Sequence, residues 1–247
     1  MQLLDLTLPS PAENLALDEA LLDAAEAGDA GEVLRLWESP RQLVVVGRSS
    51  RLDEEVDVAY CRAEEIPVLR RCSGGAAVVA GPGCLMYAAV LSYARQPALR
   101  AVDRAHREVL GRIAAVLAPL APQVRCAGTS DLVLATDGQA NGPELAALKI
   151  SGNSVRCKRS HFLYHGTLLY DFPLEMIAKC LTMPPRQPDY RRRRPHARFV
   201  TNIPLAAATL RRALATAFAA AEPATAWPRA RTAELVACRY GTADWNA

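Results

Sequence analysis

The chain has 247 residues, 51% of them hydrophobic and 22% charged, with a formal net charge of +3. That is the make-up of a soluble globular protein, not a disordered or fibrous one, and so small a charge gives no global attraction to nucleic acid. No signal peptide is expected at the amino terminus, no run reaches the roughly 18 apolar residues of a membrane span, and seven scattered cysteines without a C-x-x-C pair point to reduced thiols in a cytosolic (cytoplasmic) protein.

Ser10-Pro11-Ala12-Glu13 is a capping box with proline at the first helical position. It predicts a helix that turns Leu15, Leu17, Leu21 and Leu22 to a core and Asp18, Glu19, Asp23 and Glu26 mainly to water, stopping at Gly28. Strands are predicted at Val33–Trp37, Leu43–Val46, Pro67–Arg71 and Cys84–Ser92. A helix over Leu99–Leu117 follows, then strands at Asp131–Ala135, Leu148–Ser151 and Phe162–Tyr170, with Thr136–Ala147 as a long hairpin loop. After Asp171 the three prolines of Met183–Tyr190 exclude regular structure. An arginine run at 191–194 leads to helices over Leu205–Ala221 and Ala233–Tyr240. Strands without a βαβ rhythm predict an α+β fold, a mixed, largely antiparallel sheet flanked by helices.

Three stretches carry chemical interest. Lys149 lies in an apolar, β-prone run before Ser151-Gly152-Asn153, read as a turn, so its ammonium calls for an anion: a phosphate, a carboxylate or a developing oxyanion. Arg70-Arg71-Cys72-Ser73-Gly74-Gly75-Ala76 ends a strand with two guanidinium groups and two glycines, suited either to an anionic ligand or to a solvated hairpin. It is neither a Walker loop nor a dinucleotide fingerprint. Cys126, in a small-residue turn, is either an exposed nucleophile or an inert buried thiol. The plain readings of the rest are a solvated helix face for Asn14 and Asp18, a hydrogen-bonded core residue for His165, and a solvated run for Arg191 to Arg194.

Taken in order, Asn14 to Glu19, Leu34 to Trp37, Val44 to Arg48, Val68 to Val78, Gly128 to Leu132, Lys149 to Ser154 and His165 to Leu169 resemble the lipoate–protein ligase A and octanoyl (lipoyl) transferase family, related in fold to biotin–protein ligases. The Arg70–Val78 stretch resembles the family's R-R-x-S-G-G-G-A-V, and Gly128–Leu132 its G-R-N-D-L. The resemblance implies a sheet cradling an acyl pocket closed by the glycine loop, with Lys149 on the activated carboxyl group. It implies Arg70 and Arg71 positioning the acyl-nucleotide, and Ser73, Gly74, Gly75 and Ala76 lining the groove. Asp131 would orient Mg²⁺ or the adenosine side. Ser151, Gly152, Asn153, His165, Gly166 and Thr167 complete the implied substrate and nucleotide set. Ala76 departs from the third glycine of the loop, and Val79-Ala80-Gly81 departs from a Y-H-D run.

Two activities follow from the resemblance. One is an ATP-dependent ligase, using Mg²⁺, that joins lipoate or octanoate through an acyl-adenylate to a lysine of a lipoyl domain of a 2-oxoacid dehydrogenase or of the glycine-cleavage H protein. The other is a transferase that takes octanoyl from acyl carrier protein onto Cys126, with no cofactor. A third reading is a non-catalytic member that binds an acyl or nucleotide ligand. The expected layout is a catalytic domain over 1–182 and a Pro/Arg-rich segment with helices over 183–247 packed on it. No separate accessory domain is expected, so a partner chain is a further possibility, and neither nucleic acid nor membrane is.

Overall fold

The computed structural model describes residues 1–135 and 147–247; the loop expected over Thr136–Ala147 falls, except for Ala147, outside the described residues. In chain order the elements are β1 (Gln2–Asp5), α1 (Pro11–Ala27), β2 (Val33–Trp37), β3 (Leu43–Val46), α2 (Leu52–Glu55), α3 (Val58–Ala63), β4 (Val68–Arg70), β5 (Val78–Ala80) and β6 (Cys84–Ser92). Then come α4 (Val102–Leu117), β7 (Val124–Ala127), β8 (Asp131–Ala135), β9 (Ala147–Cys157), β10 (His161–Leu169), α5 (Glu175–Cys180), α6 (Ala207–Ala217), β11 (Glu222–Pro223), α7 (Arg229–Leu235) and α8 (Ala243–Asn246).

The main sheet runs β11-β1-β2-β6-β10-β9-β8-β7, antiparallel except where β1 lies parallel to β2 and β11. A small sheet, β4-β3-β5, stands beside it. This is the α+β fold that the strand pattern predicts. The period-2 alternation of β6 sorts the core. Leu85, Tyr87, Ala89 and Leu91 meet Val109, Ile113 and Leu117 of α4 and Leu210 and Leu214 of α6. Ala88 and Val90 meet Leu17, Leu21 and Leu22 of α1. Met86 meets Leu15 and the valines of β3. Both faces of β6 are therefore apolar, as a central strand requires, and each fully buried Leu, Ile or Val contributes about 1.5–3 kcal/mol.

The capping box forms as expected. Ser10 Oγ accepts from the Glu13 amide (3.2 Å), and Glu13 Oε2 accepts from the Ser10 amide (2.9 Å). The polar face of α1 does not meet water at Asn14, Asp18 or Glu19, all of which are buried. Arg35, fully buried in β2, donates to Asp18 Oδ1 (2.6 Å), Asn14 Oδ1 (2.6 Å) and the Asn14 carbonyl (2.7 Å). Glu19 accepts from Tyr240 (2.7 Å) and Arg239 (2.6 Å). A buried strand arginine and the C-terminal helices account for this difference from the sequence reading. The predicted helix over Leu99–Leu117 is divided, because Ala101 is extended (ψ 114°) between a 3₁₀ turn and α4. Among the described residues, no helix is long and apolar enough to cross a membrane.

Candidate active site

Lys149 sits where β9 leaves β10. The two strands pair from Phe162–Cys157 as far as Gly166–Asn153. Beyond that point β9 stays with β8, and residues 199–203 enter the fork. The Lys149 amide donates to the Phe199 carbonyl (2.8 Å), the Thr201 amide to the Lys149 carbonyl (2.9 Å) and the Ile203 amide to the Leu169 carbonyl (2.8 Å). Ser151-Gly152-Asn153 is continuous strand rather than the expected turn. The irregularity is a bulge: Leu132 faces Ser151 and Val133 faces Lys149, so Ile150 is the extra residue. Three positions apart in a regular strand, Lys149 and Gly152 would face opposite ways. The bulge puts both on the face that carries Asp131.

There Lys149 Nζ lies 2.8 Å from Asp131 Oδ1. Gly152 leaves the room, since a Cβ on it would stand 3.0 Å from Nζ. Asp131 is buried, and its second oxygen accepts from the Tyr190 hydroxyl (2.7 Å). Burial and the Asp131 charge push the Tyr190 phenol upward, so it stays a donor. Asp131 was expected to orient Mg²⁺ or the adenosine side. In this arrangement both of its oxygens are engaged, and no group of three His, Cys, Asp or Glu side chains converges among the described residues. Asp131 here serves as the counter-ion of Lys149 and the acceptor for Tyr190. Asn153 is fixed by donating to the Ser130 carbonyl (2.8 Å) and Ser151 Oγ (3.1 Å) and by accepting from Tyr87. Its amide occupies the space that a side chain at Gly166 would fill.

Arg71 organises the glycine loop from within. Its guanidinium donates to the carbonyls of Val45 (3.1 Å), Gly74 (2.6 Å) and Ala76 (3.0 Å) and to Ser73 Oγ (3.1 Å). Burial lowers its pKa to about 10, which keeps it cationic at neutral pH. With the loop carbonyls turned to Arg71, the amides of Gly75 and Ala76 donate to no acceptor among the described residues. Arg70 points elsewhere. It donates to the carbonyls of Gly47 (2.8 Å), Ser50 (2.8 Å) and Trp245 (3.0 Å), tying α8 to the loop after β3. Ser73 Oγ is 2.6 Å from His165 Nε2, and His165 Nδ1 is 3.8 Å from Asp18 Oδ2. Ser73 Oγ sits between the Arg71 guanidinium and the His165 ring. His165 is thus the hydrogen-bonded buried residue of the plain reading and also part of the cavity wall.

Two chambers meet at Lys149, Gly152, Thr167 and Ala76–Val78. The loop chamber, about 1120 Å³ with its open mouth, runs from Asp131, Asn153 and His165 down to Leu15, Val45 and Met86. The cap chamber, about 800 Å³ including its open mouth, lies under residues 182–200; Val79, Leu169, Ile177, Leu181, Phe199 and Val200 form its apolar walls, and Glu55, Arg186, Arg191 and His196 also line it. Arg71, Gly75, Ala76, Asp131, Lys149, Gly152, Asn153, His165, Gly166 and Thr167 all line the loop chamber, and Ser151 lines the cap chamber. Arg70, Ser73, Gly74 and Cys126 line neither, so the expected groove lining by Ser73 and Gly74 reduces to Gly75 and Ala76. Cys126 is exposed and lies in strand β7 rather than in a turn, and partial burial of its thiol raises its pKa.

The sequence model of the lipoyl protein ligase A/B catalytic domain matches residues 10–219. The chain belongs to this lipoyl ligase family. A protein of Aeropyrum pernix assigned as a lipoate-protein ligase A is 34% identical over 161 residues, which is 65% of this chain and 54% of that protein's length. The octanoyltransferase LipM of Exiguobacterium sp. is 30% identical over 188 residues, covering 70% of this chain and 67% of its own. The bipartite lipoate protein ligase of Thermoplasma acidophilum, whose structure was studied with its E2 lipoyl domain, superposes with a TM-score of 0.82 at 23% identity over 99% of this chain and 95% of its own. Relatives thus carry both ligase and transferase names, and the chain spans about half the length of the first two ligases that it matches, 54% and 46%. Tyr190 and Arg35 lie outside the sequence-derived site set. A tyrosine in a proline-rich segment gave no signal, whereas an arginine inside an apolar strand with an Asx pair one helical turn apart was a readable one.

Proposed function

We propose that the chain is an ATP-dependent lipoate–protein ligase. The carboxylate of lipoate or octanoate attacks the α-phosphate of ATP, giving acyl-adenylate and pyrophosphate. An acceptor lysine amine of a lipoyl domain or H protein then attacks the acyl carbonyl, forming the amide and releasing AMP and a proton. The observation that carries this reading is the pair of chambers joined at Lys149, neither containing a cysteine. A thioester transferase needs a thiolate beside the lysine. The exposed Cys126 lies outside the chambers with its thiol shifted upward, opposite to the shift that activates a nucleophile.

In this scheme the apolar floor of the loop chamber receives the acyl tail. The Lys149 ammonium, with the amides of Gly75 and Ala76, stabilises negative charge on the phosphate and then on the carbonyl oxygen. Asp131 and Tyr190 orient that ammonium. Mg²⁺ would be held by the nucleotide phosphates, water and at most one or two carboxylates, and would offset the phosphate charge.

The test uses an apo lipoyl domain with either ATP plus lipoate or octanoyl–acyl carrier protein. Wild type, Lys149→Ala and Cys126→Ala are compared. ATP-dependent modification that survives Cys126→Ala and is lost in Lys149→Ala is expected. Modification from the thioester donor alone, lost in Cys126→Ala, establishes the transferase instead.

A further inference from the structure

The arginine run at 191–194 has no part in that scheme. Residues 182–200, which strap the cleft, hold six of the 29 lysines and arginines and one of the 26 carboxylates, Asp189. The strap therefore carries +5, and the 23 cations and 25 carboxylates elsewhere leave the rest of the chain at −2. Backbone conformation sorts the run. Arg191 and Arg194 turn inward, with guanidinium carbons 4.6 and 5.3 Å from the centre of the Phe199 ring, and Arg194 also donates to the Ala147 carbonyl (2.9 Å). Between them Arg192 and Arg193 have φ of 51° and 57°, two consecutive residues in the left-handed region that side chains other than glycine seldom occupy. Both are exposed, as are Arg186 and Arg198. Among the described residues, Arg186, Arg193 and Arg198 form no ion pair.

Beside this pair runs a surface groove, about 1030 Å³ including its open mouth, lined by Met183, Pro185, Gln187, Pro188, Asp189, Arg192 and Arg193. Gln187 and Pro188 also line the loop chamber, so the groove borders the cleft that holds Lys149. Met183 is 42% exposed there, an apolar side chain beside a cationic rim. Both aromatic rings of the strap are engaged inside: Phe199 is buried against the arginines, and the Tyr190 hydroxyl is held by Asp131. The strap thus offers no ring for stacking bases, which favours a protein over a single-stranded nucleic acid. A lysine that approaches Lys149 past a segment of +5 is repelled unless carboxylates travel with it. We propose that residues 183–193 are the docking surface for the acceptor protein. Met183 and the prolines seat an apolar residue of the acceptor, and Arg192 and Arg193 pair with carboxylates that flank its target lysine. This inference rests on the proposed transfer of the acyl group to a protein lysine and adds the chemistry by which the acceptor is chosen.

The double variant Arg192→Gly/Arg193→Gly removes both charges and suits the left-handed backbone, so its Tm is expected within a few degrees of wild type or above it. Two reactions of the full chain are compared: lipoylation of an apo lipoyl domain, and lipoate-dependent ATP–pyrophosphate exchange, which needs no acceptor. KM for the lipoyl domain is expected to rise about 3–30-fold at low salt, the yield of two exposed charge pairs, with exchange unchanged. The difference should fall below about twofold in roughly 0.5 M salt, where such pairs are screened. Arg192→Glu/Arg193→Glu should raise KM further. An unchanged KM in both variants, a rise that persists at high salt, or an equal loss in exchange overturns the docking assignment. So does a wild-type dimer that the double-glycine variant dissolves with KM unchanged, since the strap then seats a second copy of the chain. Absence of exchange in wild type, together with ATP-independent modification from octanoyl–acyl carrier protein, overturns the ligase reading alone, and the same KM comparison with that donor then decides the docking surface.

Discussion

Replacing Gly152 by alanine isolates the placement of Lys149 from its chemistry. The added Cβ would stand 3.0 Å from Lys149 Nζ and 3.1 Å from its Cε. A comfortable contact is about 3.5 Å or more, so the ammonium must move by about 0.5 Å. It is anchored at 2.8 Å to a buried carboxylate, so the move stretches or breaks the bond to Asp131. The backbone of Gly152 lies in a regular strand and accepts alanine, and the atom that yields is the free end of a flexible side chain. Stability should therefore fall only modestly: loss of up to about 1.5–3 kcal/mol from the charged hydrogen bond is offset in part by about 0.4–1 kcal/mol from reduced unfolded-state entropy. Rate should change much more, because a misplacement approaching 1 Å costs up to about 100-fold. Gly152→Ala is expected to lower kcat for lipoyl-domain modification by about 10–100-fold at saturating ATP and lipoate, with Tm within a few degrees of wild type. Lys149→Met sets the floor. A variant with kcat within twofold of wild type, or one whose lost activity is matched by unfolding, refutes the argument.

Gly166→Ala should be a stability variant instead, since its Cβ would stand 1.8 Å from the Oδ1 of an Asn153 pinned by three hydrogen bonds; a loss of about 3 kcal/mol in urea unfolding is expected, and less than 1 kcal/mol contradicts the pinned geometry. Asp18→Ala leaves the fully buried Arg35 without its carboxylate and should cost about 3–5 kcal/mol by the same measurement, whereas a loss near 1 kcal/mol shows that the Asn14 and backbone acceptors suffice. Burial lowers the pKa of His106, so the unfolded chain takes up a proton first as pH falls below about 6.5, and stability present above that pH is lost below it. His106→Phe should flatten the loss between pH 7.5 and 5.5, and an unchanged slope assigns the effect elsewhere. Arg71→Lys keeps the charge but not the fork and should lower kcat/KM by more than about tenfold; full activity means that charge alone is required there.

Elements whose local chemistry agrees with their tertiary setting were legible in the sequence. The capping box placed the start of α1, and the apolar run of β6 was bounded as observed because both of its faces are buried. The motifs that line the cleft were legible for the same reason: a lysine or a double glycine in a β-prone run has few structural uses. What the sequence hid depends on partners distant along the chain. Asp18 and Glu19 look solvated until Arg35, Arg239 and Tyr240 arrive from 17 to 221 positions away. Ser151-Gly152-Asn153 has turn composition, yet Asn153 needs Gly166 opposite it and Gly152 needs room for Lys149, so a strand wins. The bulge at Ile150 is a property of the β8–β9 register, and residue spacing alone carries no trace of it. Glu55 and Tyr190 reach the cleft only through the packing of α2 and of residues 182–200.

The two kinds of cation in the motifs divide the work by geometry. A guanidinium presents five donors in a fixed plane and suits several carbonyls at once, whereas an ammonium is a compact charge on a flexible stem. Arg70 and Arg71 are both buried and both spent on backbone carbonyls, one fastening α8 to the loop after β3 and the other setting the glycine loop. Neither has an Asp or Glu partner among the described residues, so each is held by hydrogen bonds that a ligand would have to break. Lys149 differs in each respect. It is partly exposed to the cleft, and among the described residues it is paired through one contact, to Asp131, which leaves donors for a substrate. Its counter-ion is in turn held by Tyr190 from the segment that roofs the cap chamber. A cation that must meet first a phosphate and then a carbonyl oxygen has to be retargeted without dismantling the fold around it. Lys149 meets that condition, and the two motif arginines do not.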